Sequence, residues 1–184
     1  MCIRDRVKYE GNIDKRWGQL TAPEMVQRFW EGTIAGAYVG HGEVLTVSGS
    51  NDTWTDSGGE LRGQSAPRLA FLRSVVEAAP ASGLDPVDKW QDTRLAGQPG
   101  QYYLLYFGAT QPASWPFVLP KAGLQDDDAF QVDLLDTWNM TITPVPGKFT
   151  MKKRDAYTFA DQAGRSVPLP GQPWLALRIR RVAP

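Results

Sequence analysis

Apolar positions follow two different periods along this chain, and the change falls near residue 81. Up to Pro80 they recur at helical spacing. Thr21-Ala22-Pro23-Glu24 reads as a helix start. Thr21 can cap the backbone, Glu24 can reach back to it, and Pro23 lies in the first turn, where a missing N–H costs nothing. Met25, Val26, Phe29, Trp30, Thr33 and Ile34 then make one apolar face, and Gly36 ends the helix. A second helix is expected from Ser65 as cap, with Pro67 in its first turn. Its buried face is Leu69, Leu72, Val75, Val76 and Ala79, and Pro80 stops it. Between the two, the small and apolar residues from Ala35 read as a short buried strand, ending in a loop that carries His41 and Glu43. Val7 to Glu10 reads as the end of an earlier strand. Strand end, helix, strand, helix is the order of a parallel α/β fold.

Beyond a Pro/Gly-containing linker at residues 81–86, helical spacing disappears. Gln101 to Phe107 is a dense strand signal. Further strands are expected at Trp115–Leu119, Phe130–Leu135, Trp138–Val145, Lys148–Met151, Tyr157–Phe159, Ser166–Leu169 and Trp174–Val182. Turn residues such as Pro99-Gly100, Pro146-Gly147, Ala163-Gly164 and Pro170-Gly171 separate them. In the last strand Leu175, Leu177 and Ile179 alternate with Arg178 and Arg180, so the two sets face opposite sides. Short strands at this spacing predict an antiparallel β-sandwich. Tyr103, Leu105, Trp138, Ile142 and Leu177 are its expected interior residues.

Composition narrows the function classes. The 184 residues are 42% hydrophobic and 22% charged, with net charge +0, which gives no basic surface for nucleic acid or acidic lipid. No apolar run approaches the roughly 20 residues that a membrane helix needs. The single cysteine, Cys2, excludes an internal disulfide. Seven tryptophans serve core packing or, at one or two positions, form platforms for the C–H faces of sugar rings. Residues 1–6 fit nothing that follows and read as an artefactual leader; the expectation is that the natural protein is longer.

The chain carries no nucleophile elbow, phosphate loop, zinc signature or dinucleotide fingerprint. Asp126-Asp127-Asp128 lacks the alternating ligand spacing of a calcium loop and reads as a solvated turn. Glu10, His41, Glu43, Trp17 and Trp54 are left. Two carboxylates at the ends of successive strands suit glycosidic-bond hydrolysis, where one protonates the leaving oxygen and the other attacks or activates water. From spacing alone, Glu10 and Glu43 read more readily as solvated or hydrogen-bonded loop residues, and His41 equally as a structural histidine.

Longer motifs add to this. Tyr9-Glu10-Gly11-Asn12-Ile13, Trp17-Gly18, Glu24-Met25-Val26, Arg28-Phe29-Trp30 and Gly36-Ala37-Tyr38-Val39-Gly40-His41-Gly42-Glu43 resemble the end of a bacterial (β/α)8 glycoside hydrolase family of the apiosidase-like kind. Tyr103-Leu104-Leu105-Tyr106-Phe107-Gly108, Asp136-Thr137-Trp138-Asn139-Met140-Thr141-Ile142 and Leu169-Pro170-Gly171 resemble the β-sandwich that follows that barrel. The resemblance covers nearly all of residues 7–184. It implies a truncated end of a (β/α)8 barrel over residues 7–80, then an antiparallel β-sandwich over 87–184, an α/β plus all-β chain. The Ala35–Glu43 stretch would be the eighth barrel strand and Val7–Glu10 the tail of the seventh. Glu10 and Glu43 would be the catalytic candidates, with His41, Trp17, Trp54 and Asn12 in the substrate site. In the resembling enzymes the acid/base residue lies on a strand absent from this chain, and the sequence departs from their pattern just before Tyr9.

The resulting expectation is the C-terminal part of a hydrolase that acts on plant or microbial polysaccharide or oligosaccharide by retaining hydrolysis. It needs no cofactor and no metal, and this part alone would be inactive. The partner is a carbohydrate substrate, with no nucleic acid and no membrane, and the full-length parent would be secreted or periplasmic. The alternative is a non-catalytic carbohydrate-binding or structural β-sandwich module.

Overall fold

The computed structural model describes residues 20–40, 45–46, 60–61, 63–88 and 92–183. Helix α1 runs Ala22–Ile34, and Thr21 caps it in the expected reciprocal way. The Glu24 amide donates to Thr21 Oγ1, and the Thr21 amide donates to Glu24 Oε2 at 2.9 Å. After α1 the chain turns at Gly36, whose φ is +70°, and Ala37 donates to the Gly32 carbonyl at 2.8 Å. A side chain on Gly32 would collide with Val39, so glycine lets this return segment lie against the helix. β1 (Leu45–Thr46) and β2 (Glu60–Leu61) form an antiparallel pair. Helix α2 spans Ser65–Glu77, with Gln64 rather than Ser65 at its N-cap.

The remaining strands are β3 (Asp85–Asp88), β4 (Asp92–Gln98), β5 (Tyr102–Tyr106), β6 (Ser114–Pro116), β7 (Val118–Pro120), β8 (Ala129–Asp136), β9 (Thr141–Pro144), β10 (Phe149–Lys153), β11 (Thr158–Asp161), β12 (Ser166–Pro168) and β13 (Leu175–Val182). Nine of them form one sheet in the order β3-β4-β5-β13-β8-β10-β11-β7, with β9 also paired to β8. β6 and β12 form a small separate sheet. The chain changes sheets at Phe117: β6 pairs with β12, β7 pairs with β11, and the Phe117 ring between them stacks on Phe149 at 4.3 Å.

The large sheet curls around one core. Leu95 of β4, near one end of the strand order, and Leu119 of β7, at the other end, join the same cluster as Tyr103, Phe130, Met151 and Leu177. Val167 and Trp115 of the small sheet pack onto that cluster as well. The opposite face of the sheet is also covered. Ala96, Leu104, Tyr106, Leu135 and Ala176 pack with Val26, Trp30 and Ile34 of α1 and with Leu72 and Val75 of α2. Every residue of β5 is therefore buried, and this explains why Tyr-Tyr-Leu-Leu-Tyr shows no alternation.

These observations correct the expected architecture. Among the described residues every strand pair is antiparallel, and no (β/α)8 unit is present. Ala37–Gly40, expected in the eighth barrel strand, form neither helix nor strand, and Tyr38 is fully exposed. The helical faces do not cover a parallel sheet; they cover the outer face of the antiparallel one. The framework is all-β, and one curled sheet stands in place of a two-sheet sandwich. Of the expected interior residues, Tyr103, Leu105 and Leu177 are fully buried. Ile142 is 41% exposed on β9, and Trp138 is only half-buried.

Trp138 instead anchors a joint between α2 and the β8–β9 turn. Asp136 Oδ1 accepts from the Trp138 and Asn139 amides at 3.1 and 2.8 Å, the self-bonding turn that aspartate favours. Arg68 of α2 donates through Nε to the Trp138 carbonyl at 2.9 Å, and its guanidinium lies 3.7 Å above the Trp138 ring.

Candidate functional site

Glu10, Asn12, Trp17, His41, Glu43 and Trp54 all lie outside the described residues. Among the described residues the buried carboxylates are each committed to structural partners. Asp133 Oδ2 accepts from Arg178 Nε and Arg180 Nη2, both at 2.9 Å. Asp128 is paired with Arg181. Asp161 accepts from Arg165 Nε and Nη2 at 2.9 and 2.8 Å, and also from the Thr150 and Arg165 amides. Carboxylates locked this way hold the sheet together and cannot readily shuttle protons. Asp126, in the acidic turn, pairs with Lys152 on the surface. No three His, Cys, Asp or Glu gather as a metal site would need among the described residues.

The Arg165 hydrogen bond holds the Asp161 carboxyl below its usual 3.8, against the opposing effect of burial, and the Arg165 and Thr150 amides and the Arg165 charge add to the lowering. A depressed folded value means that the stabilisation is complete above the unfolded carboxyl range and is lost as pH falls through the folded value. Acid unfolding below about pH 4 should therefore release this site. Asp161→Asn should flatten the pH dependence of the unfolding midpoint between neutral pH and pH 3, measured by urea titration; an unchanged slope would contradict the assignment.

Two grooves open along β4, and Arg94 lines both. Asp92 and Arg94 are two residues apart on a strand, so they project on the same side. Arg94 Nε and Nη2 reach Asp92 Oδ1 and Oδ2, each at 2.8 Å, in a two-pronged ion pair. Burial pushes the Asp92 carboxyl up, but the Arg94 hydrogen bonds and charge outweigh it, and its value ends below the ordinary range.

The larger groove, about 600 Å³, lies between α1 and the β4–β5 end of the sheet. Gln27 and Glu31 of α1 face Thr93, Arg94, Tyr106 and Thr110 across it. Gln27 Nε2 donates to Glu31 Oε1 at 2.8 Å above Gly108. Trp30 stacks on Tyr106 at 5.3 Å, and burial drives the Tyr106 phenol well above its usual value. The smaller groove, about 380 Å³, lies where β4 and β5 face β6 and β7. Its walls include Asp92, Arg94, Trp115, Pro116, Pro120 and Arg154. Each groove sets a few hydrogen-bonding groups in a mainly apolar wall, the usual make-up of a small-molecule site.

Comparison with known proteins places this arrangement. A family described as "Domain of unknown function (DUF5605)" matches residues 90–180, close to the β4–β13 span. A crystal structure described as that of a "putative glycoside hydrolase" from Bacteroides vulgatus ATCC 8482 superposes with a TM-score of 0.84 at 35% identity, over 97% of this chain. This chain is related to that protein, and it spans 35% of that protein's length. A second structure, described as "Glycoside hydrolase", shares the fold at a TM-score of 0.54 and 10% identity, over 95% of this chain and 40% of its own. No curated protein matches the chain.

Sequence reasoning missed Asp92, Arg94 and Trp115. The Asp-Thr-Arg spacing was the available signal, but polar residues and Gly97 hid β4 as a strand.

Proposed function

We propose that this chain is the C-terminal part of a glycoside hydrolase, of the apiosidase-like kind that its motifs resemble, acting on plant or microbial polysaccharide or oligosaccharide. The observation that carries this reading is the 35% identity over 97% of the chain to the Bacteroides relative. On this reading the described all-β part supports the chemistry and does not perform it, because its buried carboxylates are held by arginines. Hydrolysis with retention needs two carboxyl groups about 5–5.5 Å apart: one donates a proton to the leaving oxygen, and the other forms and releases a covalent glycosyl intermediate. Glu10 and Glu43 are the candidates from this chain for one of these two roles, and the acid/base carboxyl would lie outside this chain. His41, Trp17, Trp54 and Asn12 would contact the sugar. No cofactor enters the reaction.

The test is Glu10→Gln and Glu43→Gln in the full-length parent, with the anomeric form of the first product followed by NMR. At least one substitution should lower kcat on the order of 100-fold or more, as the loss of a catalytic carboxyl does, while the unsubstituted enzyme releases product of retained configuration. Full activity in both variants, or an inverted product, would sink the assignment.

A further inference from the structure

We propose that the smaller groove, between β4 and the β6–β7 segment, is a saccharide-binding site. It goes beyond the hydrolase reading in placing the site and rests on that reading only for the class of ligand. The groove exists because the curled sheet ends without pairing its two ends: β4 lies near one end of the strand order and β7 at the other. The slot so formed holds one half-buried indole, Trp115. That ring is fixed from behind by the edge-on Phe117 ring at 5.6 Å and 76°, so little conformational freedom is left to lose on binding. Pro116 and Pro120 stiffen the same wall.

The Asp92–Arg94 fork lines the same groove as the indole, with the two side chains 29% and 47% exposed. A sugar presents apolar C–H faces above and below its ring and hydroxyls around its rim. An aromatic plane beside a charged donor–acceptor pair meets both features at once. Other occupants fit less well. The chain's net charge of zero does not favour a nucleic acid. A peptide added as an extra strand needs backbone N–H groups along the edge, and the prolines at 116 and 120 remove two of them.

Affinity electrophoresis of the 184-residue chain through gels containing xylan, pectin, arabinogalactan or mixed-linkage β-glucan tests the proposal. At least one polysaccharide should retard the chain. Trp115→Ala and Arg94→Ala should each weaken that retardation at least tenfold, and Trp115→Phe should restore part of it. Arg94 is half-exposed, so its substitution reads out binding even if Trp115→Ala fails to fold, and because Arg94 lines both grooves a control in the larger one assigns the loss to this groove. Thr110→Ala, in the other groove, should leave retardation unchanged. No retardation in any gel, or retardation indifferent to both Trp115 and Arg94, would overturn the proposal. The gel reads binding alone, so a chain that binds while the parent releases no sugar would keep this site and refute the hydrolase reading.

Discussion

Trp30→Ala is expected to lower the stability of the protein by about 3–5 kcal/mol, the cost of deleting a large side chain that has no solvent exposure. Trp30 projects from α1 onto the outer face of the sheet, stacked on Tyr106 and packed with Ile34, Leu104 and Ala176. Its loss removes the aromatic wedge between helix and sheet and leaves a cavity that rigid strands cannot fill. Helix and sheet share this core, so the far-ultraviolet signal and tryptophan fluorescence should shift to the same lower denaturant midpoint. A loss under about 1 kcal/mol, far outside the usual range for such a deletion, would show that α1 is not part of the cooperative unit. The half-buried Trp138 should be less sensitive, since water can occupy part of the space its ring leaves.

Asp133→Ala should cost a comparable amount by a different route. The Asp133 side chain is 3% exposed and its Oδ2 accepts from two guanidinium groups, of which Arg178 is 15% exposed. Removing the anion leaves two cations close together on the sheet face, one of them largely cut off from water. Breaking a buried pair in this way costs about 3–5 kcal/mol. The value should fall toward the lower end because Arg180 is 47% exposed and can turn to solvent. The paired change Asp133→Leu with Arg178→Met should recover most of the loss, because it removes the two buried charges and leaves only Arg180, which is exposed enough to turn to solvent. Failure of the double variant to recover would mean that Asp133 acts by shape and not by charge.

The β part of this fold is legible where strands carry dense apolar or aromatic residues and turns carry glycine. β5, β8 and β13 fall where the sequence puts them, and Gly147, Gly164 and Gly171 take positive φ at the expected turns. β3 and β4 escape notice because Asp85, Pro86, Asp92 and Arg94 are poor strand formers, and β3 lies at an edge where such residues are tolerated. The capping box of α1 is readable from four residues. What the helix covers is not, because an amphipathic helix shows its apolar face and not its partner. That is why two helical segments with small apolar residues between them suggest a parallel barrel. The same apolar faces serve equally on the outside of an antiparallel sheet whose strand β5 is apolar on both sides. The larger groove had even less signal in the sequence, since it forms where α1 crosses the β4–β5 end and its polar groups come from three separate segments.

The most direct measurement of whether the described domain supports glycoside chemistry without performing it is a side-by-side assay. The 184-residue chain and the Bacteroides vulgatus relative are given the same aryl glycosides and plant oligosaccharides. The expected result is sugar release by the relative and none above the buffer rate by the chain. Release by the chain at a rate comparable to the relative would contradict this, because it would mean that a complete pair of catalytic carboxyl groups already lies within these residues.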